Sequence, residues 1–316
     1  MTACCTPGCG TTLYNCDAME VVSFSLRLAD GRSLDVEVSG PAGRTPLVVH
    51  HGTPGERSQY PPFAGAAAAR GLRYVSYSRP GYGGSSRQPG RAVADCAADT
   101  AAILAHLGVG RCYTVGASGG GPHALACAAL LPDQVLACAT VAGAGPFGAE
   151  DLDFLAGMGR ENQEEFGAAL AGEAELQGYL EREAVSLADL TGEQVVAALG
   201  DLVSPVDAAA LTGEFADYVA ASFSQALAGG VWGWFDDDLA FTRPWGFDLD
   251  RIGVPVAVWQ GGQDRMVPFA HGQWLAAHLP SARARLLPEE GHLSIAVDKF
   301  GEILDELVAS APEPGP

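Results

Sequence analysis

One serine in this sequence has the neighbours that nucleophilic catalysis requires. Residues 116–120 read Gly-Ala-Ser-Gly-Gly, which fits the G-x-S-x-G nucleophile pattern. The pattern holds the serine in a strained turn between a strand and a helix, where side chains two residues before or after it would collide. An apolar run precedes Ser118 and the helical pattern Pro122–Leu131 follows it. We therefore predict Ser118 as a nucleophile, with a plain glycine-rich turn as the alternative.

A serine hydroxyl needs a base to take its proton, and seven histidines compete for that role. Three fall on predicted helices and are expected to be solvated: His106, His271 and His278. Three others lie at a strand end or at the start of the helix after the serine: His50, His51 and His123. His292 alone follows the last predicted strand, where the loops of a parallel sheet carry its chemistry. It is the predicted base.

An imidazole base works with a carboxylate that fixes its tautomer and stabilises its charged form. Asp264 follows the predicted strand Val254–Trp259 through a Gln-Gly-Gly-Gln segment, which places it at the same sheet edge as His292. Taken singly, Asp264 is also a common turn residue and His292 a common loop residue. Together with Ser118 they predict a catalytic triad.

Acyl transfer also requires donors for the negative charge that develops on oxygen. Residues 51–55 read His-Gly-Thr-Pro-Gly directly after the apolar strand Leu47–His50. We predict the backbone N–H groups of Thr53 and Gly119 as these donors, with a simple Pro-Gly turn as the alternative. Because nucleophile, base and donors are then all supplied by the chain, we expect no metal and no other cofactor.

The elements that must position these residues follow an alternating pattern. Residues 21–28 and 34–38 alternate apolar and polar side chains around Asp30-Gly31, which predicts a β-hairpin. Short apolar runs separated by helical stretches then predict buried parallel strands. These runs are Leu47–His50, Tyr74–Tyr77, Tyr113–Val115, Ala137–Val141, Val254–Trp259 and Ala284–Leu287. Helices are predicted at Val93–Leu107, Pro122–Leu131 and Phe300–Val308. The fold class is α/β, a mostly parallel sheet opened by an antiparallel hairpin.

Residues 146–244 interrupt this alternation with a stretch rich in Ala, Glu and Leu. It contains a capping box at Thr191 and a second helix start near Thr212, and no strand pattern. We predict a helical cap at 146–244 inserted into a core of 19–145 and 245–310. Trp232 and Trp234 are the predicted substrate-binding residues. Most other cap aromatics are expected to form the cap's own core: Phe154, Phe166, Phe215, Tyr218 and Phe235.

An excess of acidic side chains, 38 Asp and Glu against 18 Lys and Arg, gives a net charge of −20. Such a surface repels nucleic acid and anionic lipid, so we expect neither as a partner. No apolar run reaches the roughly 18 residues that a bilayer span needs, and no signal-peptide pattern opens the chain. We expect a cytoplasmic protein with a small-molecule substrate; its oligomeric state stays open.

Four of the eight cysteines lie among small apolar residues, where reduced thiols pack as small hydrophobes. They are Cys96, Cys112, Cys127 and Cys138. The other four crowd residues 1–18 with no histidine nearby and a spacing that matches no zinc pattern. We predict that 1–18 is a disordered leader outside the fold. The Pro-rich tail 311–316 is also predicted to be disordered.

The motifs together resemble the α/β-hydrolase superfamily from about residue 19 to 310. The resemblance rests on the 51–55 loop, the Arg-Pro-Gly-Tyr-Gly-Gly-Ser stretch at 79–85, the 116–120 turn, the Asp264 segment and Gly291-His292. The chain order Ser, Asp, His also matches that fold. The sequence is most similar to the cap-bearing branch of esterases, proline iminopeptidases and carbon–carbon bond hydrolases. It departs from the family at Ser78, where many members carry Asp.

The resemblance implies a serine hydrolase that cleaves a small, neutral carboxylic ester through an acyl-enzyme. One alternative is an aminopeptidase of the proline-iminopeptidase kind, which would bind a free ammonium group with cap carboxylates. Candidates for that role are Glu173, Glu175, Glu181, Glu183 and Asp236–Asp238, although a solvated helix face is the simpler expectation for them. A non-catalytic ligand-binding protein on the same fold is the other alternative.

Overall fold

The computed structural model describes residues 20–311, which contain one eight-stranded sheet. Its strands are β1 (Val21–Arg27), β2 (Ser33–Ser39), β3 (Thr45–His50), β4 (Leu72–Tyr77), β5 (Cys112–Ala117), β6 (Val135–Val141), β7 (Val256–Gly261) and β8 (Ala282–Leu287). They lie in the order β1-β2-β4-β3-β5-β6-β7-β8. β2 pairs antiparallel with both β1 and β4, and all other pairs are parallel. The predicted fold class is confirmed.

Eleven α-helices accompany the sheet in this part of the chain. They are α1 (Pro61–Ala69), α2 (Cys96–His106), α3 (Gly120–Leu130), α4 (Arg160–Ala171), α5 (Glu173–Leu187), α6 (Gly192–Leu199), α7 (Pro205–Ala210), α8 (Gly213–Leu227), α9 (Trp232–Phe241), α10 (Phe269–His278) and α11 (Ser294–Ser310). α2, α3 and α10 contribute to one apolar cluster of the sheet, and α1 and α11 to another. Coverage of both sheet faces explains why the inner parallel strands β5, β6 and β7 are largely apolar.

The segment between β6 and β7 is helical, as expected of a cap. All residues from 142 to 255 are described, and none of them is in a strand. Helices α4 to α9 lie here and contribute most of two further apolar clusters. The predicted capping box is present, with the Thr191 amide donating to Gln194 Oε1 at 2.9 Å. The division into core and cap domains at 146 and 244 stays a prediction.

The chain ends fall mostly outside the described range. The predicted leader, 1–18, and all of the predicted tail except Ala311 lie beyond it. Among the helices within residues 20–311, none is long and apolar enough to cross a membrane.

Candidate active site

Ser118 occupies the sharp turn that its sequence motif predicted. It lies between β5 and α3 and has a φ of 54°, a left-handed conformation that non-glycine residues rarely adopt. A Cβ added to Gly116 would overlap the backbone of Gly120, and one added to Gly120 would overlap the carbonyl group of His50. The two glycines are therefore needed for this turn.

Asp264 and His292 are brought together from loops after β7 and β8. His292 Nδ1 lies 2.8 Å from Asp264 Oδ2, and both side chains are buried. Asp264 also accepts hydrogen bonds from the Gln260 side chain and from the Met266 and Val267 amides, at 2.8 to 2.9 Å. These donors hold the carboxylate in place, so that its remaining interaction orients the imidazole.

The electrostatic setting of His292 favours its protonated form. Burial lowers the pKa of His292, but the charge and hydrogen bond of Asp264, with the charge of Asp207, raise it above its ordinary value. An imidazole poised in this way can take a proton from a hydroxyl and stabilise the positive charge that results.

Ser118 and His292 both line a cavity of about 280 Å³ between the sheet edge and the helical insert. Their side chains are not hydrogen-bonded to each other. In unliganded active sites such bonds are often long and tighten when substrate binds. The arrangement brings a strained serine, an imidazole and a buried carboxylate to one cavity, which is the set of groups that acyl transfer uses.

Thr53 and Gly119, the predicted oxyanion donors, lie against each other, and Thr53 lines this cavity. A Cβ added to Gly119 would overlap the Thr53 side chain. Thr53 Oγ1 donates to Asp237 Oδ2 at 2.9 Å and accepts from Arg79 Nη2 at 3.0 Å. The threonine side chain is thus turned toward the insert.

A family model described as the alpha/beta hydrolase fold matches residues 45–299, most of the chain. The chain belongs to the α/β-hydrolase family. It is accordingly a hydrolase-type enzyme.

Individual relatives of this hydrolase share its fold, but they do not point to one substrate. The uncharacterized hydrolase YcgS of Bacillus subtilis (strain 168) is 32% identical over 118 residues, 37% of this chain and 38% of YcgS. The chain therefore matches less than two fifths of that relative's length. A hydrolase from Pseudomonas aeruginosa has a TM-score of 0.66 at 21% identity, covering 90% of this chain and 98% of its own. An esterase from Exiguobacterium antarcticum has a TM-score of 0.65 at 19% identity, covering 92% and 100%.

Sequence reasoning missed Asp207, a fully buried residue of α7 that holds the His292 loop of this hydrolase. Its carboxylate accepts from the amides of His292, Leu293 and Ser294 at 3.0, 2.7 and 3.0 Å. It also accepts from Ser204 Oγ at 2.8 Å. The only available signal was the Ser-Pro-Val-Asp start of a short helix. This pattern indicates an N-cap serine and does not predict contact with a distant loop.

The support of the 79–85 loop, in question because Ser78 replaces Asp, is supplied by other bonds. Ser78 Oγ accepts from the Arg57 amide at 3.1 Å. Ser85 Oγ donates to the Ser78 carbonyl at 2.7 Å. Arg79 spans from this loop to the carbonyls of His51 and Gly52, so the departure leaves the loop anchored.

The two predicted substrate-binding tryptophans have different surroundings in the structure. Trp234 lines the cavity and donates from Nε1 to Glu165 at 2.8 Å. Trp232 is not among the residues that line it, because its ring lies against the guanidinium of Arg87, with 4.0 Å between the Arg87 Cζ and the ring centroid. Substrate contact by either tryptophan stays a prediction, and of the two Trp234 is the one that lines the cavity.

Two expectations of solvent exposure were wrong. His271 is buried because its ring bridges the Gly145 amide and the Phe154 carbonyl, at 3.0 and 2.9 Å. Asp236–Asp238 are buried as well, since α9 is enclosed on all sides; Asp236 pairs with Arg87 and Asp237 with Arg79.

The four described cysteines are buried free thiols. Cys96 Sγ, Cys127 Sγ and a His50 ring nitrogen all lie within 4.8 Å of one another. Both nitrogens of His50 already have hydroxyl partners, Thr114 at 3.0 Å and Tyr77 at 3.3 Å. The group thus forms part of the hydrogen-bonded core beneath the 51–55 loop.

Proposed function

We propose that this enzyme is a serine hydrolase that cleaves a small, neutral carboxylic ester through an acyl-enzyme. Ser118 is the nucleophile, His292 the general base and Asp264 the group that orients His292. The observation that carries the proposal is the buried 2.8 Å bond between His292 and Asp264 at the cavity that the strained Ser118 also lines.

The reaction follows from these positions. His292 takes the proton of Ser118 as its oxygen attacks the ester carbonyl, and the Thr53 and Gly119 amides stabilise the oxyanion. The tetrahedral intermediate collapses when His292 gives that proton to the leaving alcohol. Water, activated by the same imidazole, then attacks the acyl-enzyme and releases the acid together with free Ser118.

The preference for a neutral substrate is supported by the cavity wall. No Lys or Arg lines it, and four glutamates do: Glu56, Glu161, Glu165 and Glu183. Most other lining residues are apolar or aromatic. An anionic ester would find no Lys or Arg to pair with in this setting of reduced dielectric, and its charge would oppose that of any ionised glutamate.

The same glutamates favour a second candidate, an aminopeptidase of the proline-iminopeptidase kind. Of the carboxylates first suggested for binding an ammonium group, only Glu183 lines the cavity. Glu165 lines the cavity as well, but burial raises its pKa to about 7, so it is partly protonated near neutral pH and would pair with an ammonium group less strongly than an ionised carboxylate. Turnover of proline-naphthylamide faster than of any neutral ester would favour this candidate over the esterase.

Labelling with a fluorophosphonate tests the nucleophile. Ser118→Ala is expected to abolish labelling and to lower kcat by on the order of 10³-fold or more. Ser222→Ala, which changes another serine at the cavity wall, is the matched control and should label like the wild type. Wild-type turnover in Ser118→Ala would contradict the proposal.

A small-molecule substrate, a cytoplasmic location and the lack of nucleic-acid or membrane partners remain predictions from the sequence. Independence of any cofactor also remains a prediction. Activity that is unchanged by a metal chelator is the expected result for it.

A further inference from the structure

Asp237, in the middle of α9, is a fully buried carboxylate at the boundary between the insert and the oxyanion loop. It accepts hydrogen bonds or ion pairs from four side chains of the core. These are Thr53 Oγ1 at 2.9 Å, Arg79 Nη2 at 2.6 Å, Tyr82 OH at 2.8 Å and Arg91 Nη1 at 2.6 Å. One of the four partners belongs to the residue proposed to bind the oxyanion.

Arg79 extends this contact along the backbone of the oxyanion loop. Its Nη1 donates to the carbonyl of His51 and its Nη2 to the carbonyl of Gly52 at 2.9 Å. The Arg79 amide donates to His51 Nε2 at 3.0 Å. Three consecutive residues, 51 to 53, are therefore tied to one guanidinium, and Asp237 fixes the position of that guanidinium.

The nucleophile turn is held by a residue that packs beside the same carboxylate. His123 donates from Nδ1 to the Gly119 carbonyl at 2.8 Å, and its Nε2 lies 3.8 Å from Asp237 Oδ1 without a hydrogen bond to it. Gly119 itself packs against Thr53. Thr53 is therefore bonded directly to Asp237, and Gly119 is positioned by its contact with Thr53 and its bond to His123.

We propose that Asp237 is the positioning residue of the oxyanion hole, holding the amides of Thr53 and Gly119 at the spacing that the tetrahedral intermediate requires. This inference rests on the proposed serine-hydrolase function. Asp237 touches no reacting atom in that scheme. Its effect arises because donors act on a transition state only when they are held in place beforehand, and a shift of about 1 Å can cost on the order of 10²-fold in rate.

The neighbouring arginines keep Asp237 ionised. Burial alone would raise the pKa of Asp237, but Arg79 and Arg91 hold it well below its usual range. The carboxylate is therefore ionised over the whole working range of pH. Because α9 belongs to the helical insert, the same bonds connect the insert to the oxyanion donors.

The first test compares Asp237→Asn with Asp236→Asn. Asp236 precedes it on α9, is equally buried and pairs with Arg87 at 2.8 Å, away from the oxyanion loop. We expect kcat in Asp237→Asn to fall by about 10²-fold with KM changed little, and kcat in Asp236→Asn to stay near wild type. Each kcat is divided by the number of sites that fluorophosphonate labels at completion, so unfolded protein does not count.

A second pair of variants keeps the proposal testable if Asp237→Asn does not fold. Thr53→Val keeps the backbone amide and the side-chain shape but deletes the hydroxyl that joins the loop to Asp237. Its kcat is expected to fall by about 10-fold with KM little changed. Thr53→Ser restores the hydroxyl and is expected to recover most of that loss.

Unchanged kcat per labelled site in both Asp237→Asn and Thr53→Val would overturn the positioning role. Equal losses in Asp236→Asn and Asp237→Asn would also overturn it, since they would show a general effect of α9. Failure of the proposed function gives a different result: the wild type would not label, or Ser118→Ala would keep its activity.

Discussion

Two buried carboxylates of the helical insert each hold one loop of the active-site edge, and they do so with different chemistry. Asp207 holds the His292 loop through three backbone amides, which are neutral donors. Asp237 holds the Thr53 loop, and its closest partners include the guanidinium groups of Arg79 and Arg91. Both carboxylates are fully buried.

The difference shows how a buried charge is stabilised in each place. Amides around Asp207 supply dipoles that favour the anion, much as the start of a helix does. The cluster around Asp237 instead balances full charges, each of which needs the other in a region without water. Loss of Asp207 therefore leaves neutral groups without partners, whereas loss of Asp237 leaves charged ones.

The largest expected effect is on stability. Asp237→Asn should lower the free energy of unfolding by about 3–5 kcal/mol, because two buried guanidinium groups lose their counter-ion. Asp207→Asn keeps one acceptor oxygen for the amides and should cost about 1–3 kcal/mol. Urea unfolding followed by tryptophan fluorescence measures both.

Asp236→Asn serves as the control for this comparison. Its partner Arg87 is 30% exposed and can be solvated after the change, so the cost should be the smallest of the three. If Asp207→Asn lowers the free energy of unfolding as much as Asp237→Asn or more, then the amide partners of Asp207 and the charged partners of Asp237 do not differ as argued.

A second prediction uses pH to separate the two anchors. The scheme needs neutral His292, and the pKa of His292 is raised above 6.5 by Asp264 and Asp207. Activity of the wild type is therefore expected to fall as pH drops through a value above 6.5. In Asp207→Asn one source of that rise is lost, so the acidic limb of kcat/KM should move to lower pH.

Asp237→Asn is the control for the pH profile. Asp237 is not among the groups that shift the pKa of His292, so its acidic limb should stay in place while its kcat falls. If the acidic limb moves equally in Asp207→Asn and Asp237→Asn, then Asp207 does not act on the base His292 in a way that Asp237 does not.

The sheet and the placement of Ser118, Asp264 and His292 at one edge of it were predictable because their signals are local. Ser118 lies within a five-residue pattern, and its glycines are set by contacts with the adjacent turn and with His50. Asp264 and His292 each follow an apolar strand closely. The strand boundaries were less certain: Tyr113–Val115 was predicted, whereas β5 runs from Cys112 to Ala117, since the ends of a run carry weaker apolar signals than its centre.

The roles of Asp207 and Asp237 were not predictable because their partners are far away in the sequence. The Asp207 carboxylate meets an amide 85 residues away, and Asp237 meets Thr53 across 184 residues. Three consecutive acids on α9 were assigned to solvent, yet consecutive helical side chains point in different directions and cannot share one face. The aromatic residues on either side of these acids were a usable signal, because a helix that is apolar all round is enclosed on every side.

The smallest expected effect concerns the two tryptophans of α9 and substrate choice. Trp234 lines the cavity and its Nε1 fixes Glu165, so Trp234→Phe both enlarges the cavity and frees that carboxyl group. We expect medium-chain esters to gain on short-chain ones in kcat/KM by up to about 10-fold, the effect of roughly one methylene in an apolar pocket. A series of p-nitrophenyl esters graded by acyl length measures this.

Trp232→Phe provides the matched control, because the Trp232 ring contacts Arg87 and does not line the cavity. Its chain-length preference should equal that of the wild type, and both variants should still label at Ser118, since neither indole is hydrogen-bonded to a member of the proposed triad. If Trp232→Phe alters the preference as much as Trp234→Phe does, the effect comes from the packing of α9 as a whole. If neither variant alters it, the acyl chain does not reach the part of the cavity that Trp234 lines.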